Sequence, residues 1–253
     1  MITYYWVLVL GIVALSGSAM TEYGQATGSR RIENRQPRFR NKRSMDKRFI
    51  NNATVYYTIS SQFSSSQKNY ILDKINRFNK LSCVQWLPSV PGKPLSVEFV
   101  TTGNPGCFTY QRGTQNASEI NLSEHCFEFG SVTHEMGHAL GFQHEQKRRD
   151  RNCYLEIDPS LAKKGDYEIS PYIDTSFPYD WTSFMHYKKG PTFKLRREFY
   201  DHQQDQLGQY EQLSKMDVIK LKYYYCGGPH YCTTYPDECK RRKDFVRTMY
   251  CSF

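Results

Sequence analysis

The chain has 253 residues, a formal net charge of +9 and eight cysteines. That length has room for one sizeable domain or two small ones. The charge does not describe a nucleic-acid binder: residues 1–43 hold 7 Lys+Arg against 2 Asp+Glu, about half of the basic excess, and no readout motif accompanies the remainder.

In chain order, residues 6–15 form an apolar run, followed by the small residues Ser16, Gly17, Ser18 and Ala19. This reads as a secretory signal, residues 1–19, cleaved near Ala19; the run is too short for a comfortable membrane span. Eight cysteines behind such a segment predict disulfides. Sequons stand at Asn52, Asn116 and Asn121. Residues 20–43 are polar and Arg-rich and cannot bury enough surface to fold alone. Arg40-Asn41-Lys42-Arg43 looks like a furin-type site, with Lys47-Arg48 a second dibasic pair. The expectation is a propeptide cut by a processing protease at Arg43, against the plainer reading of a charged linker.

The short β-branched and aromatic run at 55–59 predicts a strand. Ser64, Ser65 and Ser66 are candidate N-caps, and Ile71, Leu72, Ile75, Phe78 and Leu81 recur at helical spacing, so a helix is expected over about 66–80. Pro88, Pro91, Gly92 and Pro94 mark a loop. Further strands are expected at 96–100, 108–111 and 119–122, a second helix from about Gly130, then irregular chain, and a late helix over about 214–224. Strands and a helix followed by a helix and loops indicate an α+β domain.

The second helix carries the chemistry. His134 and His138 are four residues apart, so on a helix both imidazoles face one ion. Glu135 lies on the adjacent turn, where its carboxylate can take a proton from a zinc-activated water. Gly141 tolerates positive φ, which lets the helix end and the chain turn back, bringing His144 round as a third ligand. Three protein ligands plus water suit a catalytic zinc rather than a closed structural one. Further on lies Ser183-Phe184-Met185-His186-Tyr187. A Met among aromatics is usually core packing, but downstream of a zinc motif Met185 reads as the Met-turn beneath the metal.

With these motifs, and with Glu145, Gln146, Arg148, Asp150 and Arg151 following His144, the sequence resembles the astacin family of metzincin zinc proteases. The likeness extends from about Phe49 to Cys226 and includes Pro178-Tyr179-Asp180-Trp181, Gly208-Gln209, Leu213-Ser214 and Asp217. The resemblance implies a two-lobed catalytic domain, residues 44–226. Its N-terminal lobe would hold a twisted sheet and two helices, and its C-terminal lobe would be mostly irregular with a late helix. It implies one Zn2+ per subunit, general-base action by Glu135, and Tyr187 as a displaceable extra ligand that stabilises the oxyanion. Glu145 would meet the mature N-terminus. An edge strand around 119–123 would pair with extended substrate, which makes a glycan at Asn121 less expected than at Asn52 or Asn116.

The resemblance also implies the disulfides Cys83–Cys226 and Cys107–Cys126. Cys153 would then join one of Cys232, Cys239 and Cys251 and staple a Cys-containing tail, residues 227–253, to the domain. No Phe-x-Gly-Asp motif occurs in residues 20–43. The expected function is a secreted, extracellular endopeptidase acting on protein or peptide substrates, with no nucleic acid and no stable membrane insertion. The competing reading is a catalytically silent secreted metzincin-like binding or matrix protein. Loss of a ligand or of Glu135 would favour it, and both are present.

Overall fold

The computed structural model describes residues 52–249 apart from 112–116, 129, 161, 163–164, 191–192, 197–205 and 209–210. The signal and propeptide segments, Arg43, Asn116 and Cys251 therefore lie outside the described residues. No helix in the described part is long and apolar enough to cross a membrane.

The architecture is α+β. A five-stranded sheet is built from β1 (Thr54–Ile59), β2 (Gln85–Pro88), β3 (Val97–Val100), β4 (Cys107–Gln111) and β5 (Ser118–Leu122), in the order β2-β1-β3-β5-β4. The first four in that order run parallel, and β4 pairs antiparallel with β5, with Thr109 opposite Ile120. Helices α1 (Ser65–Leu81) and α2 (Ser131–Ala139) accompany it. Val55, Tyr57, Ile71, Ile75, Phe78, Trp86, Phe99, Ile120 and Met136 form the core between these elements. Strand β5 is buried at every residue because it is flanked on both sides.

Local chemistry explains the boundaries. Ser64 caps α1 by accepting from the Gln67 N–H, while the Gln67 side chain accepts from the Ser64 N–H at 2.9 Å, a capping box. Just beyond the helix stands Cys83, whose disulfide to Cys226 closes a separation of 143 residues. By chain entropy such a link disfavours the unfolded state by about 5 kcal/mol. The Cys107–Cys126 disulfide ties β4 to the turn that leads into α2.

The structure adds elements that sequence reading did not place, and it changes one expectation. Residues 85–87, left unassigned ahead of the Pro88–Pro94 loop, form with Pro88 the strand β2, too short to show a periodicity of its own. The Asn79 amide completes it, donating to the Trp86 carbonyl at 2.9 Å and accepting from the Trp86 N–H at 2.8 Å. Pro88 is tolerated because it ends a strand at the sheet's edge. The changed expectation is that residues 119–123 are not an edge: β5 lies between β3 and β4, and the edge strand on that side is β4.

The C-terminal lobe is mostly irregular around a late helix, as expected, and the tail adds helices. Besides α3 (Lys215–Tyr225) the C-terminal part contains a two-stranded sheet of β6 (Leu155–Ile157) and β7 (Phe193–Leu195) and two helices in the tail, α4 (Tyr231–Thr234) and α5 (Pro236–Thr248). Pro236 at the first turn and Asp237 and Glu238 behind it are ordinary helix-start signals. The Cys232–Cys239 disulfide links α4 to α5. Cys153 is buried and disulfide-bonded. With Cys232 and Cys239 paired to each other, neither is its partner.

Candidate metal centre

Helix α2 places His134 and His138 one turn apart, and Gly141, at φ 89°, reverses the chain so that His144 returns to the same point. The His134 and His138 Nε2 atoms each lie 3.0 Å from His144 Nε2. The outer nitrogens fix the tautomers. His134 Nδ1 donates to the Phe184 carbonyl and His138 Nδ1 to the Phe142 carbonyl, both at 2.8 Å, so each ring turns an Nε2 lone pair inward. These two lone pairs converge on His144 Nε2, and the three ring nitrogens lie close enough to share one cation. A tetrahedral zinc with Zn–N near 2.0–2.1 Å holds its nitrogens ~3.3 Å apart, so this donor set fits zinc.

Burial reinforces the ligand form. Together with the neighbouring imidazoles it brings the His134 pKa down to about 3 and the His144 pKa down to about 2. Both rings are therefore neutral, as a metal requires. Glu135 is 4% exposed, and burial pushes its carboxyl up to about 7 against a hydrogen bond from Thr109 that pulls it down. A dication at the imidazoles would lower it again.

The floor of the site is the turn 183–187. Met185 and Phe184 are buried against α2 so closely that a Cβ on Gly137 would stand 2.5 Å from Met185 Sδ and from Phe184 Cε2. That contact explains a glycine inside the helix. Asp217 of α3 holds the turn by accepting from Ser183 Oγ at 2.7 Å and from the Phe184 N–H at 3.1 Å. The Phe184 carbonyl in turn orients His134. The Tyr187 ring packs against His144 with centroids 4.6 Å apart.

The loop carrying His144 is anchored separately. The Glu145 N–H donates to the Met185 carbonyl at 3.0 Å. Its buried carboxylate receives Arg148 at 2.8 Å, the Asp180 N–H at 3.1 Å and Lys220 at 3.0 Å. Burial would raise the Glu145 pKa, but Lys220 and Arg148 outweigh it and hold the carboxyl below its ordinary value. Arg148 is itself fully buried, with its remaining donors on Asp150 and on the Phe177 and Pro178 carbonyls. Lys220 thus supplies an ammonium at the carboxylate that the resemblance assigns to the mature N-terminus, a segment outside the described residues.

Residues 41–226 match the model of the Astacin peptidase family. The chain belongs to the astacin family. It is 29% identical over 189 residues to zinc metalloproteinase nas-4 of Caenorhabditis elegans, covering 70% of this chain and 59% of that protein. It is 32% identical over 194 residues to nas-39 of the same organism (69% and 20%) and 29% identical over 187 residues to the human meprin A subunit beta (68% and 26%). The chain therefore spans less than two thirds of these relatives. Among solved structures, high choriolytic enzyme 1, a hatching enzyme zinc-protease from Oryzias latipes, shares the fold. Its TM-score is 0.58 at 23% identity, over 72% of this chain and 92% of that one.

Within this astacin domain the structure brings His134, Glu135, His138, His144, Glu145, Met185 and Tyr187 together. Sequence reading missed Thr109, whose hydroxyl reaches Glu135 from β4, and Lys220, 75 residues beyond its partner. Neither belongs to a local motif. Asn121 is 0% exposed, and its amide donates to the Asn104 and Gly106 carbonyls while accepting from Thr102. That environment has no room for a glycan, and the cause is burial inside the sheet rather than nearness to an edge. Asn52 is exposed.

Proposed function

We propose that this astacin domain is a zinc endopeptidase acting on extracellular proteins or peptides. The observation that carries this is the convergence of three inward-turned imidazole nitrogens beside a buried glutamate. A zinc ion on His134, His138 and His144 would supply Lewis acidity to the scissile carbonyl and to the attacking water.

Glu135 accepts the water's proton and returns it to the leaving amine. A buried carboxylate beside the three imidazoles can take a proton and hand it on in either direction. Tyr187, packed on His144, donates to the oxyanion as the carbonyl becomes tetrahedral. Strand β4, the sheet's edge on that side, receives an extended substrate by β-augmentation, the role first expected of residues 119–123.

Around this chemistry the chain is organised for export. Residues 1–19 act as a signal and residues 20–43 as a propeptide, and the family match begins at residue 41, beside the dibasic site at Arg43. Cys153 pairs with Cys251 and staples the helical tail to the domain, and Asn52 carries the glycan. The names of the relatives, zinc metalloproteinases among them, agree with this reading.

The test is turnover of a quenched-fluorescent peptide library by the processed chain. Chelator should abolish cleavage and zinc restore it. Glu135→Gln should retain zinc while losing at least about a hundredfold in kcat. Equal turnover in that variant refutes the mechanism, and a zinc-loaded but inert wild type refutes the enzyme.

A further inference from the structure

We infer that Thr109 is the positioning residue for Glu135, aiming its carboxylate from the same strand that would hold substrate. This rests on the reading of Glu135 as the base. Thr109 is the middle residue of β4, and its Oγ1 lies 2.8 Å from Glu135 Oε2 and 3.0 Å from the Glu135 carbonyl oxygen. Among the described residues it is the only hydrogen-bond partner of that carboxylate. Glu135 Oε2 is thereby pinned, and Oε1 is the oxygen left to exchange a proton.

Two acceptors within reach of one hydroxyl give the contact its use. When Glu135 is ionised, the hydroxyl donates to Oε2, the stronger acceptor because it is charged. When Oε1 carries the proton, Oε2 remains a carbonyl-type acceptor, so the hydroxyl goes on donating to it or turns to the Glu135 carbonyl. The same side chain therefore supports both protonation states without moving. Threonine's β-branch restricts χ1, so the hydroxyl is held where the two acceptors need it. Because Thr109 sits in β4 and β4 is fixed by the Cys107–Cys126 disulfide, a substrate strand that orders β4 orders the base as well.

The experiment compares Thr109→Val, Thr109→Ser, Glu135→Gln and the double variant Thr109→Val/Glu135→Gln in the processed, zinc-loaded chain. Valine keeps the shape and loses the hydroxyl; serine keeps the hydroxyl. Expected for Thr109→Val are a kcat lowered about tenfold to a hundredfold, the scale of one hydrogen bond to a charged group, and a KM within about twofold. Zinc affinity by chelator competition should stay within about threefold, because no ligand is touched. Thr109→Ser should recover most of kcat, and the double variant should be no slower than Glu135→Gln.

The inference is overturned if Thr109→Val keeps its kcat, if Thr109→Ser falls as far as valine, if the valine loss multiplies with that of Glu135→Gln, or if zinc affinity falls in step with kcat. Should the valine chain fail to fold, Thr109→Ala replaces it under the same criteria. If Glu135→Gln itself turns over normally, the proposed function has failed, whatever the Thr109 variants do.

Discussion

The buried ion pair between Lys220 and Glu145 supports the loop that carries His144, and replacing Lys220 by Met tests it. Lys220 Nζ lies 3.0 Å from Glu145 Oε2, with both side chains at least nine-tenths buried. At that distance and an effective dielectric near 20, the attraction is about 5 kcal/mol before the cost of dehydrating the lysine is set against it. Methionine removes that cost along with the charge, but it leaves a buried carboxylate with one cation fewer. Breaking one side of such a pair costs about 3–5 kcal/mol. Arg148 still holds Glu145 Oε1 at 2.8 Å, which places the expected loss near the lower end.

A loss of about 3 kcal/mol lowers Tm by roughly 6–12 °C in a domain of this size. The pH dependence has a definite sign. Glu145 titrates below its ordinary value when folded, so its contribution is present above the unfolded pKa and is lost as pH falls through the folded one. Without Lys220 the effect of burial is less opposed, the folded pKa rises, and acid unfolding begins at a higher pH. Urea unfolding of the zinc-loaded variant from pH 7 to pH 3 reads both quantities. The double variant Lys220→Met/Glu145→Gln should regain most of the loss, because no uncompensated charge remains. A change below about 0.5 kcal/mol with an unmoved acid limb would refute the argument.

Two further outcomes follow from the same geometry. Gly137→Ala should destabilise the protein by about 1–3 kcal/mol and weaken zinc binding, since the added methyl meets Met185 and Phe184 at 2.5 Å and the latter's carbonyl orients His134. Thermal unfolding with a zinc titration measures both, and an unchanged affinity would show that the turn is not coupled to the ligand. In the metal-free protein, His134 and His144 have folded pKa values lowered to about 3 and about 2. The unfolded chain therefore takes up protons first, and stability should fall as pH drops below about 6.5, the ordinary imidazole value. Denaturant unfolding of chelated protein at pH 7.5 and pH 5 should show a lower midpoint at pH 5, and the reverse order would contradict the burial of these rings.

What the sequence could determine by itself was whatever is local. His134, Glu135 and His138 lie within one helical turn, so their spacing places them before any tertiary contact exists. Gly141 similarly announces the reversal that returns His144. Helix α1 was legible because its apolar period and Ser64 cap lie within one window. The family resemblance added roles for Glu145 and Tyr187 that no spacing contains.

Tertiary structure decided the rest because the interactions are short-ranged in space and distant in sequence. A four-residue strand such as β2 has no period of its own and exists by pairing with β1 and by the Asn79 amide. Which strand is an edge depends on the whole sheet order, and for that reason β4 rather than β5 faces outward on the side of the site. Thr109 approaches Glu135 across 26 residues and Lys220 approaches Glu145 across 75, so both the orientation of Glu135 and the support of the loop that carries His144 depend on the closed fold. A carboxylate buried among those partners behaves differently from one in an isolated helix, since burial and the nearest donor together set its proton affinity.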